Sequence, residues 1–408
     1  MSATQPYIPR AGERAPRQDR YRSSKRAELR IWWREIDRVL LFLALALMAI
    51  GAAAVAAASP ASARRLSTAS HTLPDLYFYW AHLRWQIVGL AAMFGAALLS
   101  RENARRAGIM LFAAMFVLLM LVPVLGYEVN GAKRWINLGF SFQPSEFLKP
   151  AFVIALAWVI SWRARDPNLP VVAIATGVMG AIGALLMLQP NLGDTVLFAG
   201  VWFALVILSG VPVKRLAMLI GAGVATAVMI YLFYENGRNR INDFLGGGTA
   251  FDQVDLAERT LLAGGWTGSG LWLGIRKMSL PEAHTDYIFS VIGEEFGLIV
   301  CALIVLLYLA IIVRVLVRLA DEENLFTLLA GAGLAVLIGG QAFINILVNL
   351  QLAPSKGMTL PLVSYGGSST IAVCLTVGLL LAITRRNPFL KSQTPGLWQR
   401  LFGREAQS

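Results

Sequence analysis

The chain has 408 residues, 57% of them hydrophobic and only 15% charged, with a mean hydropathy of +0.61. A water-soluble protein of this length carries far more charge, so soluble multidomain classes are excluded. The formal net charge of +12 comes without aromatic–basic interleaving or zinc-finger spacing, which sets nucleic-acid binding aside.

Residues 1–38 are polar, Arg-rich and Pro-containing, and are expected to form a disordered basic tail. They are too long and too charged for the n-region of a cleaved signal, so the first apolar block acts as an uncleaved anchor. Apolar blocks of about 17–25 residues then follow, the length that crosses a bilayer as a helix. Ten are read, at 39–58, 83–100, 107–126, 146–162, 170–189, 194–210, 215–234, 286–313, 325–349 and 365–384. A re-entrant 194–210 would make the number odd. The expected fold class is an all-α polytopic membrane protein, with a transmembrane domain over 39–384 and a second tail at 385–408.

Basic residues set the orientation. With the N-terminus inside, 24 Lys and Arg fall in cytoplasmic segments and 12 outside, as the positive-inside rule requires. The positive charge thus faces anionic lipid. Cys301 and Cys374 fall inside spans and are read as packing residues.

Three external segments stand out: 59–82, 127–145 and 235–285. The last carries the run Gly246, Gly247, Gly248, the series Gly264, Gly265, Gly268, Gly270, and two tryptophans, Trp266 and Trp272. An amphipathic helix around Phe251–Leu262 would suit the interface plane. The plain alternative is a lid without chemistry. No internal repeat, Walker motif, dinucleotide fingerprint or metal-ligand quartet appears.

Polar clusters sit at the mouths of spans on this same side. In the second external segment, Lys133 and Arg134 precede Gln143-Pro144-Ser145-Glu146-Phe147-Leu148-Lys149. Ser145 or Pro144 would start the helix, and Glu146 and Lys149, three apart, share one face. Lys133, Arg134 and Lys149 are candidate phosphate contacts; the alternative is an ion pair that satisfies only itself. Asp286 opens another span after His284 and Thr285. An ionised group at membrane depth costs about 2.5–3.5 kcal/mol at a helix centre, which makes it a functional candidate. The competing roles are a helix cap for Asp286 and a structural hydrogen bond for His284. Glu294 lies about 12 Å deeper on that span, so Glu294 and Glu295 are read as bundle-internal. In the last external loop, Lys356, Ser364, Gly366, Gly367, Ser368 and Ser369 add donors and flexible backbone. The combination suggests an interfacial groove for a lipid-linked, phosphate-bearing substrate.

Together the strings NGAKRWINLGFSFQPSEFLKP, QPNLGDT, LPEAHTDYIFSVIGEEFG and APSKGMTLPLVSYGGSS, spread over residues 130–369, resemble the SEDS family (shape, elongation, division and sporulation). Their wording is closer to the division branch, FtsW, than to the elongation branch, RodA. The resemblance implies the SEDS fold and a peptidoglycan glycosyltransferase that polymerises lipid II on the outer face of the cytoplasmic membrane. It places the essential catalytic aspartate at Asp286 and cavity-lining residues at Glu146 and Lys149. Lys133, Arg134, His284, Thr285, Lys356, Ser364, Gly366, Gly367 and Ser368 are the further substrate-binding candidates. A class B penicillin-binding protein supplying the transpeptidase, other divisome membrane proteins and a septal location are implied. A divalent cation, Mg or Mn, is left open. QPNLGDT departs from the family, which usually has aspartate at the position of Asn191; Asp194 need not face the same way, and this motif is given no role. A lipid II flippase and a non-catalytic divisome scaffold are the alternative functions.

Overall fold

A computed structural model describes residues 25–386 apart from 69–71, 130, 138, 247–252 and 355–356. The sequence-based expectations for Asn130, Gly247, Gly248, Phe251, Lys356, residues 1–24 and residues 387–408 lie outside the described residues.

The described residues open with a helix that the basic composition did not suggest. Lys25–Glu35 (α1) forms inside the expected disordered tail. Tertiary contacts hold it: Trp32 donates its indole N–H to Ala97 at 2.8 Å and packs edge-on against Phe94. Glu35 pairs with Arg385 at 2.6 Å, and its carbonyl accepts from Arg386 N. Arg-rich composition argued for disorder, but two tryptophans and a charge partner at the other end of the chain outweigh it.

Helices α2 (Arg38–Leu66), α3 (Tyr77–Ala97) and α4 (Arg101–Leu125) follow. α2 runs through Pro60, so much of the expected external segment 59–82 is helix. Asp37 caps α2 through Leu40 N and also holds Arg314 at 2.8 Å and Arg318 at 3.3 Å. A three-stranded antiparallel sheet comes next, β1 (Tyr127–Val129), β2 (Ala132–Asn137) and β3 (Ser141–Phe142), where only a polar loop was expected. Tyr127 pairs with Trp135 and Glu128 with Lys133, which leaves Arg134 as the extra residue of a β-bulge.

α5 (Pro144–Ser161), α6 (Val171–Leu188), α7 (Leu192–Leu208) and α8 (Val213–Phe233) are followed by the amphipathic α9 (Glu235–Leu245) and α10 (Gln253–Ala263). α10 occupies the segment expected to be amphipathic, and its Val254, Ala257 and Leu261 are buried. α11 (Ile288–Leu319), α12 (Leu325–Asn349) and α13 (Gly367–Ile383) complete the bundle. Seven of these helices are long and apolar enough to cross a membrane, while α7 and α13 are shorter apolar helices. α3, the remaining long helix, carries His82, Arg84 and Gln86.

α5, α12 and α13 form the centre, apolar on nearly every face and buried accordingly. Small residues let neighbours approach, as expected where lipid offers no hydrophobic drive. Gly89 of α3 faces α13 so closely that an added Cβ would stand 2.8 Å from Cys374 Sγ. Both cysteines are free and buried.

α11 is broken at Gly297, whose φ of 83° interrupts the helix. The segment 264–277 fills the break. Ser269 N and Gly270 N donate to the carbonyls of Glu294 and Glu295, and Leu298 N and Ile299 N donate to Gly265 and Trp266. Glu294 accepts from Arg276 N and Lys277 N; Glu295 accepts from Trp272 N, Gly274 N and the Lys277 ammonium. The two glutamates are thus bundle-internal, and their partners are loop amides and a buried lysine.

Candidate active site

A cavity of 1220 Å³ opens where α2, α3, the sheet, α5, α7, the segment before α11 and the start of α13 meet. Four of the separately noted sequence clusters converge on it, represented by Arg134, Glu146, Asp286 and Gly366.

Asp286 sits in an irregular segment two residues ahead of α11 and does not cap it; Tyr287 holds the cap position without a side-chain bond. Its backbone is fixed from α12. Asn345 Nδ2 donates to the Asp286 carbonyl at 2.8 Å and to Met358 at 2.6 Å, and Asn349 Nδ2 reaches the same Asp286 carbonyl at 3.1 Å. Asn349 Oδ1 in turn accepts from Ser290. With its backbone pinned, the half-buried carboxyl faces the cavity. Burial, and next the negative charge of Glu282, push its pKa up from 3.8 to about 7. Arg134 acts in the opposite direction.

Arg134 reaches the cavity because the bulge re-aims it, with Trp135 beside it. Its guanidinium donates to the carbonyls of Gln189 at 3.0 Å and Pro190 at 2.5 Å. Lys133, grouped with Arg134 in the sequence reading, is exposed, stands across from Glu128 in the ladder and does not line the cavity. Strand geometry turns neighbouring side chains to opposite faces.

Glu146 lies in the first turn of α5, which starts at Pro144 without a side-chain cap. Ser145, a candidate cap, instead donates to Asp194 at 2.9 Å. Glu146 and Lys149 share a face at 2.7 Å, and Lys149 also pairs with Asp194 at 2.9 Å. Asp194 is steered by Asn191, the α7 N-cap, whose amide donates to it at 2.7 Å. Asp194 therefore does face the site, and the motif left without a role contributes to it. Lys149 is buried behind the two carboxylates and is not brought to the cavity wall. With its one ammonium already paired to both carboxyl groups, the cluster offers phosphate no uncommitted cation. Glu146 and Asp194 line the cavity, and the buried Glu146 Oε2 has no hydrogen-bond partner among the described residues.

His284 lines the cavity but packs between Phe78 and Tyr365, with ring centroids at 4.2 and 5.2 Å. Burial lowers its pKa to about 4, so it is neutral at pH 7. Thr285 lines the cavity and bonds Glu282 at 2.8 Å. Gly366, Gly367 and Ser368 line it from the start of α13, with Ser369. Ser364 does not: its hydroxyl donates to the Thr285 carbonyl at 2.6 Å and accepts from Leu360 N, tying the last loop to the Asp286 segment. Gly357, at φ 57°, stands beside Asp286, where a Cβ would lie 3.5 Å from Oδ2.

Sequence reasoning missed Asn345 and Asn349, whose spacing of four inside an apolar span was the available signal. It also missed Arg65 and Arg84, which line the cavity from α2 and α3. Among the described residues no three His, Cys, Asp or Glu side chains converge as a metal-ligand set.

A family model described as cell cycle protein, FtsW/RodA/SpoVE, matches residues 37–388. The chain is 36% identical over 368 residues to a probable peptidoglycan glycosyltransferase FtsW of Caulobacter vibrioides, covering 89% of this chain and 93% of that one. It is 36% identical over 388 residues to the protein of the same description from Methylococcus capsulatus, covering 89% and 94%. Among solved structures, it is similar at TM-score 0.68 and 27% identity to a chain from work on the coordination of polymerization and crosslinking by a peptidoglycan synthase complex, covering 86% of this chain and 97% of that chain. It is similar at TM-score 0.64 and 29% identity to the rod shape determining protein RodA of Thermus thermophilus, covering 87% and 99%.

Proposed function

The chain belongs to the FtsW/RodA/SpoVE cell-cycle protein family, and on that premise we propose that it is a peptidoglycan glycosyltransferase acting in septal cell-wall synthesis. It polymerises lipid II on the outer face of the bacterial cytoplasmic membrane, with both termini cytoplasmic. The observation that carries this reading is the pinned, half-buried Asp286 carboxyl facing the cavity.

In the reaction, the Asp286 carboxylate takes the proton of the acceptor N-acetylglucosamine 4-hydroxyl as its oxygen attacks C1 of the donor N-acetylmuramic acid. The new C1–O bond forms with inversion while the C1–O bond to the polyprenyl pyrophosphate breaks. The leaving group departs as an anion and needs no strong general acid. A carboxyl titrating near 7 suits a general base, since half of it is ionised at neutral pH while it keeps proton affinity. Such a base contributes about 10²–10⁴-fold. Asn345 and Asn349 hold it in place, and Arg134 offers positive charge beside it. Glu294 and Glu295, which would suit a translocation path, are instead taken up by the loop segment 264–277.

A class B penicillin-binding protein is the proposed partner, supported by the similarity to a peptidoglycan synthase complex. The test is incubation of the purified protein, with and without that partner, with labelled lipid II, followed by gel separation. Polymer from wild type and none from Asp286→Asn is expected. Polymer at near wild-type rate from the variant would remove Asp286 from this role, and translocated monomer without polymer would favour a flippase.

A further inference from the structure

Neither of the two lysines that the sequence offered for phosphate reaches the cavity, and Arg134 is engaged by two carbonyls. Two other arginines line it. Arg65 lies in the last turn of α2 and donates one N–H to Ser279 O at 3.1 Å. Arg84 lies two turns into α3, where its Nε reaches Trp80 O at 3.4 Å. Among the described residues neither makes an ion pair, and both are exposed.

Apolar side chains flank both cations. Leu66 follows Arg65 and is 55% exposed; Val88, one turn beyond Arg84 on the same face of α3, is 47% exposed. Tyr77, Arg84, Trp85 and Val88 all line the cavity from that face. The order along the stripe is aromatic, cation, aromatic, aliphatic. With the start of α3 at the outer surface, this is the sequence of environments met by a phosphate head whose hydrocarbon tail runs into the bilayer.

We propose that Arg65 and Arg84, with Val88 one turn deeper on α3, form the subsite that grips the pyrophosphate and first isoprene units of a polyprenyl-linked substrate. Guanidinium groups suit this because they bind phosphate oxygens in pairs and stay charged at every relevant pH. This inference rests on the glycosyltransferase reading and names which residues of that same cavity hold the lipid end of the substrate.

The test is binding of a fluorescent farnesyl pyrophosphate to the full-length protein in nanodiscs, with farnesyl monophosphate, farnesol and inorganic pyrophosphate as competitors. The wild type is expected to prefer pyrophosphate to monophosphate and monophosphate to farnesol, with inorganic pyrophosphate weaker than the lipid-linked form. Arg65→Met and Arg84→Met each weaken farnesyl pyrophosphate binding by roughly tenfold or more. Farnesol competition and thermal unfolding stay unchanged, Arg84→Lys recovers part of the loss, and Asp286→Asn binds as the wild type does. Equal binding by the wild type and both methionine variants overturns the subsite, as does a wild type that binds farnesol as tightly as the pyrophosphate. Either result leaves the polymerase reading standing if lipid II is still polymerised. Polymerisation that survives Asp286→Asn sinks that reading while leaving a measured pyrophosphate preference intact.

Discussion

Replacing Asp286 with asparagine keeps the side chain's size and removes an ionisable group that the fold holds near neutrality. Its carboxyl titrates at about 7 in the folded chain against an ordinary 3.8. The folded value lies above the unfolded one, so wild-type stability falls as pH rises from about 4 towards 7 and levels off above that. Linkage puts the loss at about 4 kcal/mol by pH 8 and roughly 1.5 kcal/mol at pH 5. Water in the cavity screens the carboxyl, so these are upper figures. Asparagine carries no such cost. The variant is therefore expected to be the more thermostable protein, by a gap that widens by about 2.5 kcal/mol, or about 3–5 °C for a chain of this size, between pH 5 and pH 8. Tryptophan-fluorescence melts of both proteins in one detergent at the two pH values measure the gap, and the same preparations are assayed for glycan synthesis. A gap independent of pH, or a variant less stable than wild type at pH 8, refutes the claim that burial holds this carboxyl up.

Three further outcomes are expected. The initial polymerisation rate of the wild type climbs with pH as one group ionises near 7, and Glu282→Gln moves that limb to lower pH by removing a neighbouring negative charge; a limb that stays in place excludes this coupling. Lys149→Met leaves two buried carboxylates without their shared cation and costs about 3–5 kcal/mol in thermal unfolding; adding Glu146→Gln recovers part of it, and a single variant as stable as wild type would contradict the buried cluster. Asn345→Leu leaves the Asp286 carbonyl held by Asn349 alone and frees the Met358 loop, so kcat falls roughly tenfold while KM changes little; a loss confined to KM would place Asn345 outside the positioning of the base.

The apolar runs are long and sharply bounded, which made the bundle legible and placed Asp286 and Glu146 at its mouths. Side-chain direction was harder to read. Lys133 and Arg134 are sequence neighbours, and only the bulge decides which one faces inward. A spacing of three is enough to put Lys149 on one face with Glu146. That it is enclosed depends on Asp194, 45 positions away, whose direction follows from the Asn191 cap. α1 was hidden because its partners, Phe94, Ala97 and Arg385, lie in distant parts of the chain. Asn345 and Asn349 carry no motif and gain meaning only when α12 is laid against Asp286.

The break at Gly297 has a bearing on how the molecule is assembled. Nine residues into α11, backbone amides and carbonyls there lack helical partners and are matched by residues 265–270. Exposed to hydrocarbon they would cost several kcal/mol each. The segment that satisfies them is synthesised just before α11, so it is already outside the ribosome when the helix enters the bilayer. Loop and helix then become one cooperative unit, and in hydrogen-exchange experiments the amides of Ser269, Gly270, Leu298 and Ile299 should open together rather than in sequence.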